Sequence, residues 1–315
     1  MLAASVRSGL TETLHDGAVA VCRPDGSLVA SAGDIDRPFF IRSASKPFQA
    51  YVSQSNGANL STLQLAVAAS SHRGHPVQVA LVDEMLGSIG LSENDLGCPA
   101  DWPSNRIAAR RLFSAGESTP RRVWHNCSGK HSGFLRACVA SGWSTADYLD
   151  PDHPLQRQVT ALVTDLGGFD PEPVGVDGCG APVHRTTVRT MARMFAALAT
   201  APEFSAVYTA MHRYPALVAG NGESDSQIAT CLDAVAKGGA QGCMGVGLAA
   251  GFGLAVKSWD GSPLVPGIAA VATLDQIGLL NALARDRLAS VARPVVRGGG
   301  RPVGEYEPRF ELRMA

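Results

Sequence analysis

Two stretches near opposite ends of the chain combine apolar runs and turn residues in the pattern of β-hairpins. Residues 17–31, GAVAVCRPDGSLVAS, place a Pro-Asp-Gly turn between two apolar runs. Residues 252–273, FGLAVKSWDGSPLVPGIAAVAT, place Asp260 and Gly261 between two more. Turn residues between two apolar runs are a hairpin signal, so we predict a strand, a turn and a strand in each stretch.

The middle of the chain has helical periodicity instead. Apolar residues recur three or four positions apart over 79–86, 155–166 and 188–198, which predicts three amphipathic helices. A fourth helix is predicted over 274–292, LDQIGLLNALARDRLASVA. The tail from Pro294 contains three consecutive glycines, and we predict that it is a loop.

Strands at both ends and helices between them predict an α/β (α+β) fold in a single unit, residues 1–315. The terminal strands would share a mainly antiparallel sheet built from 1–42 and 245–315. The helix-rich portion, 43–244, would be inserted as a lobe. A cleft where the sheet meets the lobe is the expected ligand site.

The charge balance limits the partners that this chain is expected to have. There are 27 Lys and Arg residues against 28 Asp and Glu residues, for a net charge of −1, so we expect neither nucleic acid nor an anionic membrane as the main partner.

The uncharged run 238–256 carries seven glycines, and each weakens a helix by about 1 kcal/mol, so we predict no membrane span. The first fifteen residues lack the apolar run of a secretory signal. The seven cysteines are an odd number, and reduced thiols in a cytoplasmic protein are expected.

One candidate for catalysis is the segment that runs from Arg42 to Phe48, which contains Ser43-x-x-Lys46. On a helical turn, positions three apart lie on one face, so the lysine amine can reach the serine hydroxyl. A neutral lysine could then accept the proton as the serine attacks a carbonyl carbon. Pro47 disfavours helical geometry at Lys46, which predicts that the motif lies at the entry turn of a helix. The alternative is a helix cap followed by a surface lysine.

Two further segments have residues suited to catalysis. Ser71 and His72 lie in a dense polar loop, 69–76, after an apolar run, although the end of an ordinary helix would have the same composition. Lys257 shares a strand face with Gly253 and Ala255, which would let it face a cleft. A charge that protects an edge strand from aggregation is the alternative for this lysine.

Two cysteine-containing segments are rich in glycine and polar residues. They are 125–133, HNCSGKHSG, and 176–184, VDGCGAPVH. Two thiolates and a nitrogen ligand could hold zinc, but neither segment has the paired Cys-x-x-Cys of a structural zinc site. By spacing alone, a metal site is the less favoured interpretation. Asp177 could bind a substrate ammonium group or could serve only as a turn residue.

Taken together, these segments resemble the Rhizobium-type, or class 3, L-asparaginases, the thermolabile asparaginase II family. The matching motifs occur in order along most of the chain: Arg42-Ser-Ala-Ser-Lys-Pro-Phe-Gln49, Ser71-His-x-Gly74, His125-Asn-Cys-Ser-Gly-Lys-His131, Asp177-Gly-Cys-Gly-Ala-Pro182, Tyr214-Pro-x-Leu-Val-Ala-Gly220, Lys237-Gly-Gly-Ala-x-Gly242 and the strand of Lys257.

The resemblance implies a fold similar to serine β-lactamases and penicillin-binding proteins. It also implies hydrolysis of the L-asparagine side-chain amide to L-aspartate and ammonia. Ser43 and Lys46 would form one serine–lysine dyad, and Ser71 and Lys257 a second. Lys46 would activate Ser43 while the second dyad relays protons, although Ser71 could be the nucleophile instead.

The resemblance further implies a zinc site, a substrate site and a homodimer. Zinc would lie beside the catalytic centre on Cys127, Lys130 and Cys179, modulating the enzyme rather than being essential. The residues expected to bind the small-molecule substrate are Arg42, His72 and Asp177.

Three positions depart from the family pattern. Arg73 and His75 stand where serine and glutamate are expected, and Gln241 stands where glutamate is expected. Arg73 adds a positive charge, and His75 and Gln241 each remove a negative one. These changes bear on substrate preference. The alternative functions are a penicillin-interacting serine peptidase or esterase and a non-catalytic protein on the same fold that binds amino acids or metal.

Overall fold

The computed structural model describes all residues, 1–315, in fourteen strands and twelve α-helices. The strands are β1 Ala3–Arg7, β2 Leu10–His15, β3 Gly17–Cys22, β4 Leu28–Ala32, β5 Phe39–Phe40, β6 Gly175–Val176, β7 Pro182–Val183, β8 Arg185–Thr186, β9 Ala234–Gly239, β10 Cys243–Leu248, β11 Phe252–Ser258, β12 Val295–Gly298, β13 Arg301–Pro308 and β14 Arg313–Met314.

Ten of the twelve helices lie between residues 46 and 231, a stretch whose only strands are β6, β7 and β8. They are α1 Lys46–Ser53, α2 Thr62–Ala68, α3 Pro76–Gly87, α4 Arg106–Ser114, α5 Ser128–Ser141, α6 Pro154–Gly167, α7 Val188–Thr200, α8 Ser205–Arg213, α9 Pro215–Val218, α10 Ser224–Cys231, α11 Val265–Gln276 and α12 Ala282–Ala292.

A six-stranded sheet at the centre of the fold draws its strands from both ends of the chain. Its order is β14-β4-β3-β11-β10-β9, and all the pairings in it are antiparallel. A second antiparallel sheet, in the order β12-β13-β1-β2, joins the N-terminal strands to the C-terminal tail. The predicted mixed fold class, with its antiparallel sheet from both chain ends and its helical insertion, is confirmed.

Alternate residues of the central strands face two different layers, as the two-residue period of a strand requires. Val19 and Val256 belong to a core shared with α11 and α12. Ala18 and Ala255, on the opposite face, belong to the larger core of the helical lobe, to which α7 contributes. A Cβ on Gly253 would lie 1.9 Å from the Ala192 carbonyl oxygen, so glycine is what allows α7 to approach the sheet.

The first hairpin and the three amphipathic helices lie where the periodicity predicts them, as β3–β4, α3, α6 and α7. The second arm of the predicted 252–273 hairpin is wrong, because residues 265–276 form the helix α11. This helix is almost wholly buried between the sheets, and an apolar run without polar positions cannot be assigned to strand or helix by periodicity.

Three other boundaries differ from the prediction. The 274–292 helix is divided, since α11 ends before Gly278, which has φ +76°, and α12 begins after Asn281. The tail forms β12 and β13 rather than a loop. The sheet portion begins at Ala234, where β9 starts, and not at 245.

The uncharged run 238–256 falls in β9, β10 and β11. None of the helices has the length and apolar character that crossing a bilayer requires.

Candidate functional site

The Ser43-x-x-Lys46 motif lies at the entry of a helix, as Pro47 predicts. Residues Arg42–Ser45 form a 3-10 turn, and α1 begins at Lys46 with the proline in its first turn. Proline lacks a backbone N–H, and N–H groups in the first turn of a helix have no acceptor within the helix. Pro47 is therefore accommodated there without the loss of a hydrogen bond.

Ser71 lies just beyond α2, where it meets two lysines. The Lys46 ammonium donates to Ser71 Oγ at 3.1 Å and to the Asn126 carbonyl at 3.1 Å. The Lys237 ammonium donates to the same Ser71 Oγ at 2.9 Å and to the Gly238 carbonyl at 2.6 Å. Both lysine side chains are buried, each with 1% exposure. One serine hydroxyl therefore bridges two buried amines.

The structure does not pair Ser71 with Lys257. Lys257 lies on β11, and its ammonium donates to the backbone carbonyls of Gln241 and Ser258. Its place beside Ser71 is taken by Lys237, which lies two strands away on β9. The predicted Ser71–Lys257 dyad is corrected accordingly, because the strand order brings β9, and not β11, to the serine.

Two glycines after Lys237 bring the end of β9 close to the turn that carries Ser43. A Cβ on Gly239 would lie 3.1 Å from the Ile41 carbonyl oxygen and 3.2 Å from the Ala44 nitrogen. Such contacts are closer than a side chain normally tolerates, so glycine permits the approach. The sequence feature that could have pointed to Lys237 is the Lys-Gly-Gly sequence, which lies in the motif 237–242 that resembles the family.

We call Ser43, Lys46, Ser71 and Lys237 the serine–lysine centre. Ser43, Ser71 and Lys237 line one cavity of about 290 Å³. The other lining residues are Arg73, Asn126, Ala219, Glu223, Asp225, Gly238, Gly239 and Ala240. This volume is just below the usual range of about 300–1,000 Å³ for small-molecule sites, which suits a ligand of amino-acid size.

The pKa of Lys237 is lowered to about 8, mainly by burial; the Asp225 carboxylate opposes this shift, and the nearby Lys46 cation contributes to it. Asp225 also accepts a hydrogen bond from the Gly238 backbone N–H. A lysine with this pKa is partly neutral near physiological pH and can accept a proton.

His72 does not face the cavity, although we expected it to bind substrate. It is fully buried, and its Nδ1 accepts from the Gly74 N–H while its Nε2 lies 2.7 Å from Ser128 Oγ. Burial lowers the pKa of His72 to about 3. The imidazole is therefore neutral, has both nitrogens engaged, and serves to hold the loop after Ser71.

Arg42 and Asp177, the other two expected substrate ligands, are paired with each other. Arg42 Nε donates to Asp177 Oδ1 at 2.7 Å, and neither residue lines the 290 Å³ cavity. Their role in substrate binding stays a prediction.

Cys127, Lys130 and Cys179, which we call the thiol cluster, come together as the resemblance implies. The Lys130 ammonium donates to Cys179 Sγ at 3.0 Å. A hydrogen bond from Cys179 holds the pKa of Cys127 well below its usual range, with Lys46 and Lys130 adding to the effect. Interaction with the two cysteines raises the pKa of Lys130 in spite of its burial. The cluster is therefore a buried thiolate–ammonium group beside the serine–lysine centre.

The donor atoms of the thiol cluster are of the kinds that zinc accepts, two thiols and a nitrogen. The Nε2 atom of the adjacent His131 is buried without a hydrogen-bond partner. No three His, Cys, Asp or Glu side chains are grouped so as to hold a metal ion, so a site here would need the Lys130 nitrogen. With that nitrogen included, the donor atoms fit zinc, provided that Lys130 gives up its proton on binding, as the thiols also do.

Several solved structures are similar to this chain at low identity. A putative β-lactamase from Bacteroides dorei matches at 17% identity and a TM-score of 0.46, over 83% of this chain and 92% of that one. A β-lactamase from Mycobacterium bovis matches at 18% and 0.42, over 82% and 94%. The structure of Mglu in its glutamate form matches at 17% and 0.38, over 87% of this chain but 64% of that one, so this chain spans less than two thirds of that protein.

No curated protein matches this sequence. The family model described as L-asparaginase II matches residues 3–308, which is nearly the whole chain. That coverage includes the serine–lysine centre and the thiol cluster. The chain therefore belongs to the L-asparaginase II family.

Proposed function

We propose that this amidohydrolase is an L-asparaginase that hydrolyses the side-chain amide of L-asparagine to L-aspartate and ammonia through an acyl-enzyme on Ser43. The observation that supports it most is the Ser71 hydroxyl held between Lys46 and Lys237, in one cavity with Ser43. Such an arrangement can move a proton between two amines, and hydrolysis of an amide through a serine needs that transfer twice.

Ser43 is the better nucleophile of the two serines. Ser71 Oγ is bonded to both lysine side chains, which suits it to relay protons between the two amines. Ser43 lines the cavity without such a bond, so its lone pairs are available to the amide carbon.

Proton balance assigns the remaining groups. With Lys237 neutral, Ser71 gives its hydroxyl proton to Lys237 and receives one from Lys46, which leaves Lys46 as a neutral amine three residues from Ser43. Lys46 then takes the Ser43 proton as the Oγ–C bond forms. The proton passes through Ser71 to the amide nitrogen, the C–N bond breaks, and ammonia leaves. Water hydrolyses the ester by the same route and restores Ser43.

The test is ammonia release from L-asparagine and, in parallel, from L-glutamine. We expect wild-type protein to release ammonia from asparagine and the Ser43→Ala protein to lose several orders of magnitude in kcat. Folded Ser43→Ala protein with near-wild-type turnover would overturn Ser43 as nucleophile. Acylation by a penicillin-type reagent without ammonia release would favour a peptidase or esterase, and binding of asparagine without turnover would favour a non-catalytic protein.

We also propose that Cys127, Lys130 and Cys179 hold zinc. A bound zinc ion would supply a fixed positive charge beside Lys46, which already lowers the pKa of Cys127. We expect protein purified without chelators to contain zinc, and Cys127→Ser and Cys179→Ser to lose most of it, because a site with three protein ligands has none to spare. Cys231→Ser is the matched control, since that thiol lies on α10 and is only half-buried. Equal zinc content in all four proteins would contradict the site.

A further inference from the structure

Arg73 and Glu223 form an ion pair in the wall of the cavity that contains Ser43 and Ser71. Arg73 Nη2 lies 2.6 Å from Glu223 Oε1, and Arg73 Nε donates to the Ala219 carbonyl at 3.2 Å. Both side chains are partly exposed, at 37% and 41%. The guanidinium is thus fixed by a backbone carbonyl on one side and by a carboxylate on the other.

The proposed reaction uses neither residue, yet both have unused capacity for hydrogen bonds. A guanidinium has five N–H groups, and the two contacts of Arg73 involve only Nε and Nη2. The contact with Arg73 is made by one carboxylate oxygen of Glu223, Oε1, and a carboxylate has two acceptor oxygens. The pair therefore offers a positive donor group and a negative acceptor group, side by side, to a ligand in the cavity.

Arg73 is also the cation in this cavity that keeps its charge throughout a reaction. Lys46 and Lys237 are bonded to Ser71 and exchange protons in the proposed mechanism, whereas an arginine stays protonated and matches the planar geometry of a carboxylate. An α-amino acid carries a carboxylate and an ammonium group on one carbon atom, close to its side-chain amide. Its two charges are complementary to those of the pair.

We infer that Arg73 binds the α-carboxylate and Glu223 the α-ammonium group of the substrate, so that this ion pair selects α-amino acids with a side-chain amide. The inference rests on the proposed asparaginase function and deepens it. Arg73 and Glu223 are specificity-determining residues in this scheme, and they take no part in the proton transfers.

A second groove marks the outer limit of the site. It has a volume of about 780 Å³ and shares Arg73 and Glu223 with the catalytic cavity. The pair consequently lies at the boundary between the small cavity and the larger groove, where it can contact the end of the substrate that does not react. Arg106 lines only the groove, and so provides a control residue.

The experiment compares three amides: L-asparagine, 3-aminopropanamide, which lacks the α-carboxylate, and succinamic acid, which lacks the α-ammonium group. Arg73→Met should raise KM for asparagine by about 10- to 100-fold, the usual size for a charged hydrogen bond, with little change in kcat. It should leave the kinetics of 3-aminopropanamide unchanged, and Arg73→Lys should restore part of the asparagine KM. Glu223→Gln should raise KM for asparagine but not for succinamic acid.

Arg106→Met is the matched control and should not change KM for any of the three amides. The inference is overturned if wild-type protein hydrolyses asparagine while Arg73→Met keeps the wild-type KM, or raises KM equally for asparagine and 3-aminopropanamide. A wild-type protein that releases no ammonia from any of the amides would overturn the proposed function itself, which is a different result.

Discussion

The serine–lysine centre and the thiol cluster are adjacent, and each contains a buried lysine in an opposite electrostatic state. Lys237 contacts a serine hydroxyl, and its pKa is lowered to about 8, mainly by burial, although the Asp225 carboxylate opposes the shift. Lys130 contacts a thiol and lies near a second thiol of lowered pKa, so its own pKa is raised. Burial alone does not determine what a lysine can do. At Lys237 burial outweighs the neighbouring charges and leaves a proton acceptor, whereas at Lys130 the two cysteines outweigh burial and leave a counterion.

The largest effect is expected at the proton acceptor. Lys237→Met removes the amine that takes the proton from Ser71, and kcat for asparagine should fall by about 10²–10⁴-fold, the usual contribution of a general base. Steady-state ammonia release measures it, with circular dichroism to show that the variant is folded. A folded variant with wild-type kcat would remove the distinction between the two lysines.

The counterion should matter for stability. Lys130→Met leaves the Cys127 thiolate without its buried ammonium neighbour, and the free energy of unfolding should fall by about 3 kcal/mol. Urea denaturation in the presence of a chelator measures this, with Cys231→Ser as a control expected within about 0.5 kcal/mol of wild type. Unchanged stability in Lys130→Met would show that the thiols do not depend on this cation.

Lys257 provides a third buried lysine for the comparison, one that contacts only carbonyls and aromatic rings. Lys257→Met should lower the free energy of unfolding by about 2 kcal/mol, the net value of a hydrogen bond that involves a charged group. The kcat for asparagine should be preserved. A loss of kcat comparable to that of Lys237→Met would restore Lys257 to the catalytic centre.

The smallest effect is expected from a change to the charge near Lys237. The Asp225 carboxylate raises the pKa of Lys237 against the lowering effect of burial. Asp225→Asn should therefore lower that pKa further, and the rise of activity with pH should move to lower pH by a fraction of a pH unit. The pH profile of kcat/KM measures this. A shift to higher pH would contradict the electrostatic account.

The periodicity of apolar residues predicted those helices that bury only one face. The helices α6 and α7 have distinct apolar and polar faces, so their periodicity is visible in the sequence. The helix α11 is buried on nearly all sides and has no such periodicity. The β12–β13 hairpin did carry a signal, since Gly299 and Gly300 both have positive φ at its turn, but its strands are short of apolar residues.

The sequence predicted the segments that form the site. It did not predict which residues from distant segments contact each other there. Ser43, Lys46 and Ser71 lie in recognisable motifs, and Lys130 meets Cys179 as the resemblance implies. The choice between Lys237 and Lys257 depends on which strand ends beside Ser71, and that follows from the order of strands in the sheet. His72 was misjudged for a similar reason, because its partner Ser128 is distant in sequence.

The most direct test of the account is the pH dependence of kcat/KM for asparagine hydrolysis by the wild-type protein. In the proposed mechanism the neutral form of Lys237 is the active form, and the pKa of this lysine is lowered to about 8. Activity should therefore be low at acidic pH and should rise through a midpoint near pH 8 as Lys237 loses its proton. A profile that is already level at acidic pH, or a rise that persists unchanged in the Lys237→Met variant, would contradict the assignment of Lys237 as the proton acceptor.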